Sequence, residues 1–247
     1  EKKIIGCKKG KKLSAAESKF IARESEEWNL ADLIVVPSDF VKDGLMELGV
    51  DKKKIKVIPY GINILPSSNQ RIRRSRGNGA VRFLFVGEVG ERKGAGHLLN
   101  ALNKFNKNEI EVKFVGNYVL KTSFSLEGVE FCGAVPRSEV IKYYDWADVF
   151  ILPSLVEGSA TVIYEALSTG LPVITTPNSG SIVVDKVHGF IVSCGSAAEI
   201  YESMKKYIDE PELIEKHSEN INNQLFEKIS SSSYEKRLIS LLNEIEF

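Results

Sequence analysis

Two carboxylates, Glu157 and Glu165, stand eight positions apart in the run Glu157-Gly-Ser-Ala-Thr-Val-Ile-Tyr-Glu165, and Ala-Leu-Ser-Thr-Gly-Leu-Pro-Val-Ile follows at once. A carboxylate that accepts from hydroxyl groups makes charge-assisted hydrogen bonds of ~1.5–3 kcal/mol each. Phe150-Ile-Leu-Pro153 is a short apolar run ending in proline, the signature of a buried strand that stops there. Gly158 permits a tight turn, and Ser159 or Thr161 can cap the helix that Val162, Ile163, Ala166 and Leu167 begin at helical spacing. Glu165 then lies about one turn into that helix, roughly 10 Å from Glu157 at ~1.5 Å rise per residue plus the loop. Between them the N–H groups of Gly158, Ser159, Ala160 and Thr161, at a helix start, suit phosphate. The span fits a ligand that is hydroxyl-rich at both ends with a pyrophosphate between. Either glutamate alone would more often be a dipole-stabilising surface charge; the whole string carries the reading.

A second candidate is Gly87-Glu-Val-Gly-Glu-Arg-Lys-Gly94, which follows a strand and opens a helix. Its glycines let backbone approach a phosphate, and Arg92 and Lys93 carry charge to neutralise one; the bland alternative is two solvated basic residues. Gly94-Ala-Gly96 imitates part of a dinucleotide fingerprint, but the third glycine is absent and the next strand ends in Val115-Gly-Asn117 with no acid for a ribose. Nicotinamide binding is excluded on those grounds. No Asp-x-Asp occurs, so positive side chains and helix N-termini, not a chelated metal, are expected to take the diphosphate charge.

These features together resemble the retaining GT-B glycosyltransferases of family 4, whose donor-binding half carries E-x7-E followed by A-x-x-x-G-x-P-V-I. Here that string is Glu157, Glu165, Ala166, Gly170, Pro172, Val173 and Ile174, and the resemblance extends over nearly all of residues 20–195. It implies transfer of a sugar from a nucleoside diphosphate to an acceptor hydroxyl, polysaccharide or lipid-linked, with retention and without a metal or other cofactor. Glu157 would contact the donor sugar as the catalytic carboxylate, and Glu165 would hold the ribose. Lys93 would bind the diphosphate, with Gly158, Ser159, Ala160 and Thr161 beside it. The loop containing Phe131, Gly133 and Val135 would read the base through its backbone. Two departures stand out. Ala160 replaces the usual Gly or Pro, and Glu88 stands where relatives carry a diphosphate-binding Arg, so that Arg92 takes that part here. Asn178-Ser-Gly-Ser181 lies where many relatives carry Gly-Gly and a Glu; Ser181 is either a donor contact or part of a plain turn. Two alternatives remain open: a non-catalytic sugar-nucleotide-binding subunit, and a sugar-nucleotide epimerase on the same fold.

Strands are expected at 33–36, 56–59, 82–86, 111–115, 129–132, 149–152, 172–175 and 190–192. Helices are expected at 14–30, from a Ser38 cap to about Leu48, and near 94–105, 138–147, 160–169 and 196–208, with a charged, Gly-free helical tail over 209–247. Strands alternating with helices predict a Rossmann-like α/β fold with a parallel sheet covered on both faces. Every motif above falls at a strand's carboxyl end, where such sheets bind ligands. Three segments are expected: residues 1–63, the end of an acceptor domain; 64–80, a linker rich in Pro, Ser, Asn, Arg and Gly; and 81–247, the donor-binding domain, its last helices returning toward the first segment. The chain opens on Glu1 and its first convincing strand begins at Leu33, so the resemblance reads it as a fragment lacking most of the acceptor domain.

Among the 247 residues, 43% are hydrophobic and 27% charged, the proportions of a globular protein. Thirty-three basic and 33 acidic residues cancel, which argues against bulk nucleic-acid binding. Cys7, Cys132 and Cys194 make neither a metal spacing nor a disulfide framework, as suits a cytoplasmic protein. His97, His188 and His217 are too dispersed for a metal site. The basic clusters 8–12 and 71–74 are either solvated faces or contacts to an anionic inner membrane surface carrying a lipid-linked acceptor.

Overall fold

The computed structural model describes residues 14–64, 79–106, 108–121 and 124–244. Most of the expected linker 64–80, the basic clusters 8–12 and 71–74, and Cys7 lie outside these residues.

Six strands make one parallel sheet: β3 (Val81–Val86), β4 (Ile110–Val115), β5 (Val129–Gly133), β6 (Val149–Leu152), β7 (Val173–Thr175) and β8 (Gly189–Ile191). Two earlier strands, β1 (Ile34–Val36) and β2 (Ile55–Val57), pair in parallel with each other and form a separate small sheet. The larger sheet has the order β5-β4-β3-β6-β7-β8. The chain thus builds outward from β3 in one direction, returns, and builds outward from β6 in the other. The crevice beyond the carboxyl ends of β3 and β6 is a topological switch point.

Why these segments form strands is plain from their composition. Phe83, Leu84 and Phe85 of β3 and all four residues of β6 are fully buried, because helices cover both faces and leave no polar side for a strand to show. The helices are α1 (Ala15–Leu30), α2 (Asp39–Glu47), α3 (Ala95–Leu102), α4 (Arg137–Trp146), α5 (Thr161–Ser168), α6 (Ala197–Asp209), α7 (Glu212–Gln224) and α8 (Ser231–Asn243). Ser14 caps α1 through a reciprocal pair with Glu17, and Ser38 caps α2 as its position before an apolar-periodic segment predicts. On α6, Ile200, Ser203, Met204 and Tyr207 recur at helical spacing and face the core. His217 of α7 is buried and bonds Tyr207 Oη at 2.9 Å, and His188 is buried between the Val184 amide and Gln224. Both histidines are therefore packing residues.

Residues near Pro59–Asn63 meet the start of α8. The Ile62 amide donates to the Ile229 carbonyl at 2.8 Å, Ser231 N–H to the Ile62 carbonyl at 2.9 Å, and Arg237 to the Pro59 carbonyl at 2.9 Å. Gly61 is required here, since a Cβ would lie 2.5 Å from Cβ of Tyr234.

One local expectation is corrected. Neither Ser159 nor Thr161 caps the helix at the glutamate pair. Ala160 occupies the N-cap of α5, which has no side-chain cap at all, and Thr161 is its first helical residue. Ser159 instead sits one position too early, its hydroxyl 3.3 Å from Tyr164 Oη.

Candidate functional site at the sheet switch point

Three loops converge at the carboxyl ends of β3, β6 and β7. The first runs from Gly87 to Gly94. Gly87 takes a backbone conformation that favours glycine (φ +138°) and lies beside the Lys93 side chain, whose Cε would be at contact distance, 3.5 Å, from a Cβ there. Gly94 is left-handed (φ +71°) and starts α3 directly against the end of β6; a Cβ would stand 1.9 Å from the Pro153 carbonyl oxygen. The Leu155 amide donates to the Arg92 carbonyl at 2.9 Å and so ties the first loop to the second.

The second loop carries Glu157. Arg92 Nη1 and Lys93 Nζ both pair with its Oε1, Lys93 at 2.7 Å. Lys93 and Glu157 are sheltered, whereas Arg92 is half exposed. Arg92, the expected stand-in at the Glu88 departure, is thus at the same carboxylate as Lys93, while Glu88 is exposed.

The third loop, Thr176–Gly180, holds the second in place. Thr176 Oγ1 donates to the Ser154 carbonyl at 2.6 Å, Asn178 Nδ2 to the Leu155 carbonyl at 2.7 Å, and the Glu157 amide to the Asn178 carbonyl at 2.9 Å. The Ala160 amide donates to the Ser179 carbonyl at 3.0 Å. Of the four N–H groups expected to meet phosphate, that of Ala160 is therefore already engaged with protein. Gly158 and Thr161 are exposed and Ser159 half-buried, and α5 leaves its first turn without a side-chain cap.

Glu165 lies one helical turn further on, buried except for 8% of its surface. Its Oε2 accepts from Tyr144 Oη at 2.9 Å and its Oε1 from Arg137 Nη2 at 3.0 Å. Burial, and after it the Glu165 charge, raises the Tyr144 hydroxyl well above its ordinary pKa, so it stays protonated and donates. The Arg137 side chain is 89% exposed and approaches from the start of α4.

The expected base loop is shorter than its sequence suggests. Phe131 belongs to β5 and stacks on Phe114 at 4.9 Å between ring centres, with Tyr118 edge-on, so its ring is packing. Gly133, left-handed at φ +69°, ends β5 and accepts from the Gly116 amide at 2.8 Å. Only Ala134 to Pro136, with the half-buried Val135, remain as connecting loop. The strand extends because a register shift between Phe114 and Val115 brings Gly133 opposite Val115.

Ser38, Tyr144, Arg137 and Asn178 are site residues that the motif string did not reveal as partners. Ser38, at the start of α2, donates its hydroxyl to the Gly158 carbonyl at 2.5 Å. A peptide is planar and trans, so holding that carbonyl aims the Ser159 N–H the opposite way. Gly180 (φ +61°) lies against the same pair, with room for no Cβ. Ser38→Ala removes this bond and the α2 cap together. It is expected to cost about 1–2 kcal/mol in urea unfolding, with Ser38→Thr restoring most of it.

Residues 68–224 match the family described as "Glycosyl transferases group 1". The chain belongs to this family. Among curated relatives of this group 1 chain, the putative teichuronic acid biosynthesis glycosyltransferase TuaC of Bacillus subtilis is 31% identical over 61% of this chain and 41% of its own length. The capsular polysaccharide biosynthesis glycosyltransferase CapM of Staphylococcus aureus is 28% identical over 64% and 45%. The chain spans about half the length of the first such relatives, from 41% to 52%. A crystal structure of HepE of Anabaena with UDP and glucose superposes with a TM-score of 0.73 at 17% identity, over 94% of this chain and 68% of that one. That likeness establishes the fold: an α/β parallel sheet flanked by helices, as the strand–helix alternation predicts, and of the GT-B glycosyltransferase type, as the family resemblance implies.

Proposed function

We propose that this chain is the donor-binding part of a retaining, family 4 glycosyltransferase that moves a sugar from a nucleoside diphosphate to an acceptor hydroxyl. The observation that carries this reading is the meeting of Lys93, Arg92 and Glu157 at the switch point, beside an uncapped helix start and one helical stretch from the buried Glu165. HepE was crystallised with UDP and glucose, TuaC is named for teichuronic acid biosynthesis and CapM for capsular polysaccharide biosynthesis, which supports a nucleotide-sugar donor and a glycan acceptor here.

In this reading the bond from the anomeric carbon to the leaving phosphate breaks as a bond to the acceptor oxygen forms on the same face. The acceptor proton passes to the leaving phosphate. Lys93 and Arg92 stabilise the charge that develops on the diphosphate, with the first amides of α5 adding to it. Glu157 orients sugar hydroxyls, and Glu165, fixed by Tyr144, anchors the ribose. The charge is assigned to these groups and not to a metal because the sequence contains no Asp-x-Asp. Among the described residues no helix is long and apolar enough to cross a membrane. A cytoplasmic site, with basic segments touching a membrane that carries a lipid-linked acceptor, is part of the proposal.

The test is calorimetric titration with UDP, GDP, ADP and their common sugar conjugates. One nucleotide series is expected to bind, which names the base. Binding by none of them, in a chain that melts cooperatively, would reject the donor site.

A further inference from the structure

Both cations at the switch point end on one oxygen of Glu157, Oε1. The Lys93 and Glu157 side chains are 12% and 13% exposed, so their pairing escapes most of the solvent screening that weakens surface ion pairs. A diphosphate that enters must share these cations with a carboxylate already in contact with them.

The consequence depends on what the diphosphate carries. A sugar diphosphate brings hydroxyls that donate to the carboxylate, and its outer phosphate is a diester with a single negative charge. A nucleoside diphosphate without sugar brings no such donors, and its terminal phosphate ionises once more. The same carboxylate is thus a partner for the donor and a repelling neighbour for the spent nucleotide.

We propose that Glu157 is an electrostatic selector that competes with the bare diphosphate for Lys93 and Arg92 and thereby favours sugar-bearing donor over spent nucleotide. It rests on the proposed function and adds to it a device for product release. No bond is made or broken by it; ion pairs are exchanged, with Lys93, which has three N–H donors, turning between carboxylate and phosphate.

Titration of the whole chain with inorganic pyrophosphate, UDP and UDP-glucose, with the GDP and ADP series alongside, tests this. Glu157→Gln is expected to bind pyrophosphate and the spent nucleotide about tenfold more tightly, and to lower the preference for sugar nucleotide over spent nucleotide by about a hundredfold. Glu157→Asp draws the charge back by one methylene and is expected to fall between the parent and Glu157→Gln; it carries the test should the glutamine variant unfold. Weaker pyrophosphate binding in either variant would overturn the inference, since Glu157 would then only hold Lys93 in place. An unchanged preference, with Glu165→Ala still losing nucleotide, would overturn the selector and leave the donor site standing. Failure of every probe to bind would reject both.

Discussion

Gly94→Ala is expected to lower stability by about 2–5 kcal/mol and to disable the switch-point site. Two costs add. A left-handed conformation costs a residue with a Cβ about 1–2 kcal/mol, and Gly94 is held at φ +71°. The new Cβ would also lie 1.9 Å from the Pro153 carbonyl oxygen and 2.8 Å from its carbon. Those are backbone atoms at the end of β6, so no side-chain rotation relieves the contact, and overpacking of this kind costs about 1–3 kcal/mol. The least costly escape moves the Gly87–Gly94 loop away from β6. That breaks the bond from the Leu155 amide to the Arg92 carbonyl and separates Lys93 from Glu157. Gly96→Ala is the matched control: Gly96 is inside α3 and a Cβ there meets nothing within 4 Å. It is expected to be neutral or to stabilise by about 0.5–1 kcal/mol. Urea unfolding of both variants checks the pair; similar midpoints for the two would mean that the loop does not abut Pro153.

Glu165→Ala is expected to weaken nucleotide binding by about 1.5–3 kcal/mol, roughly ten- to 150-fold in Kd, for each charge-assisted ribose bond lost. Its carboxylate is pre-aimed: Tyr144 fixes Oε2 from the buried side, and the exposed Arg137 reaches Oε1. A ribose bound as proposed would meet an oriented acceptor, with little ordering left for the binding step. The fold should survive the change, because Tyr144 Oη also lies 3.3 Å from the Val162 carbonyl and keeps an acceptor. Tyr144→Phe is the companion. It leaves the carboxylate but not its orientation, so a smaller loss is expected, of the same sign. Calorimetry with the nucleotide that binds the parent chain decides this. Unchanged affinity in a cooperatively folded Glu165→Ala protein would remove the ribose role.

Local patterns were sufficient wherever the physics is local. A strand stretch buried on both faces must be apolar, which is why Phe83–Val86 and Val149–Leu152 are legible; the expected strands 82–86 and 149–152 correspond to Val81–Val86 and Val149–Leu152. Serine before an apolar helical period marks a cap, as at Ser38. The rule does not hold at α5. Ser159 and Thr161 both look like caps for α5, yet Ala160 holds that position and the helix start stays open. Phe131 lies inside the strand expected at 129–132, and pairing with β4 extends that strand by one residue to Gly133, which shortens the loop expected to read the base.

By itself the sequence determined the class of fold, the alternation that makes the sheet parallel, the glutamate pair with its glycines, and the placing of each motif at a strand's carboxyl end. Those follow from hydrophobic period, chain stiffness and turn chemistry, all of which act over a few residues. Tertiary structure alone decided that Arg92 and Lys93 share one oxygen of Glu157, that Tyr144 and Arg137 aim Glu165, that the Ala160 amide is spent on Ser179, and that Ser38 turns the Gly158 peptide. Arg92, at Glu157, and Ser38, at Gly158, lie 65 and 120 residues away along the chain. A charge or a hydroxyl shows nothing in its neighbours of which distant group it will meet, because that choice is made when the strands order themselves around the switch point.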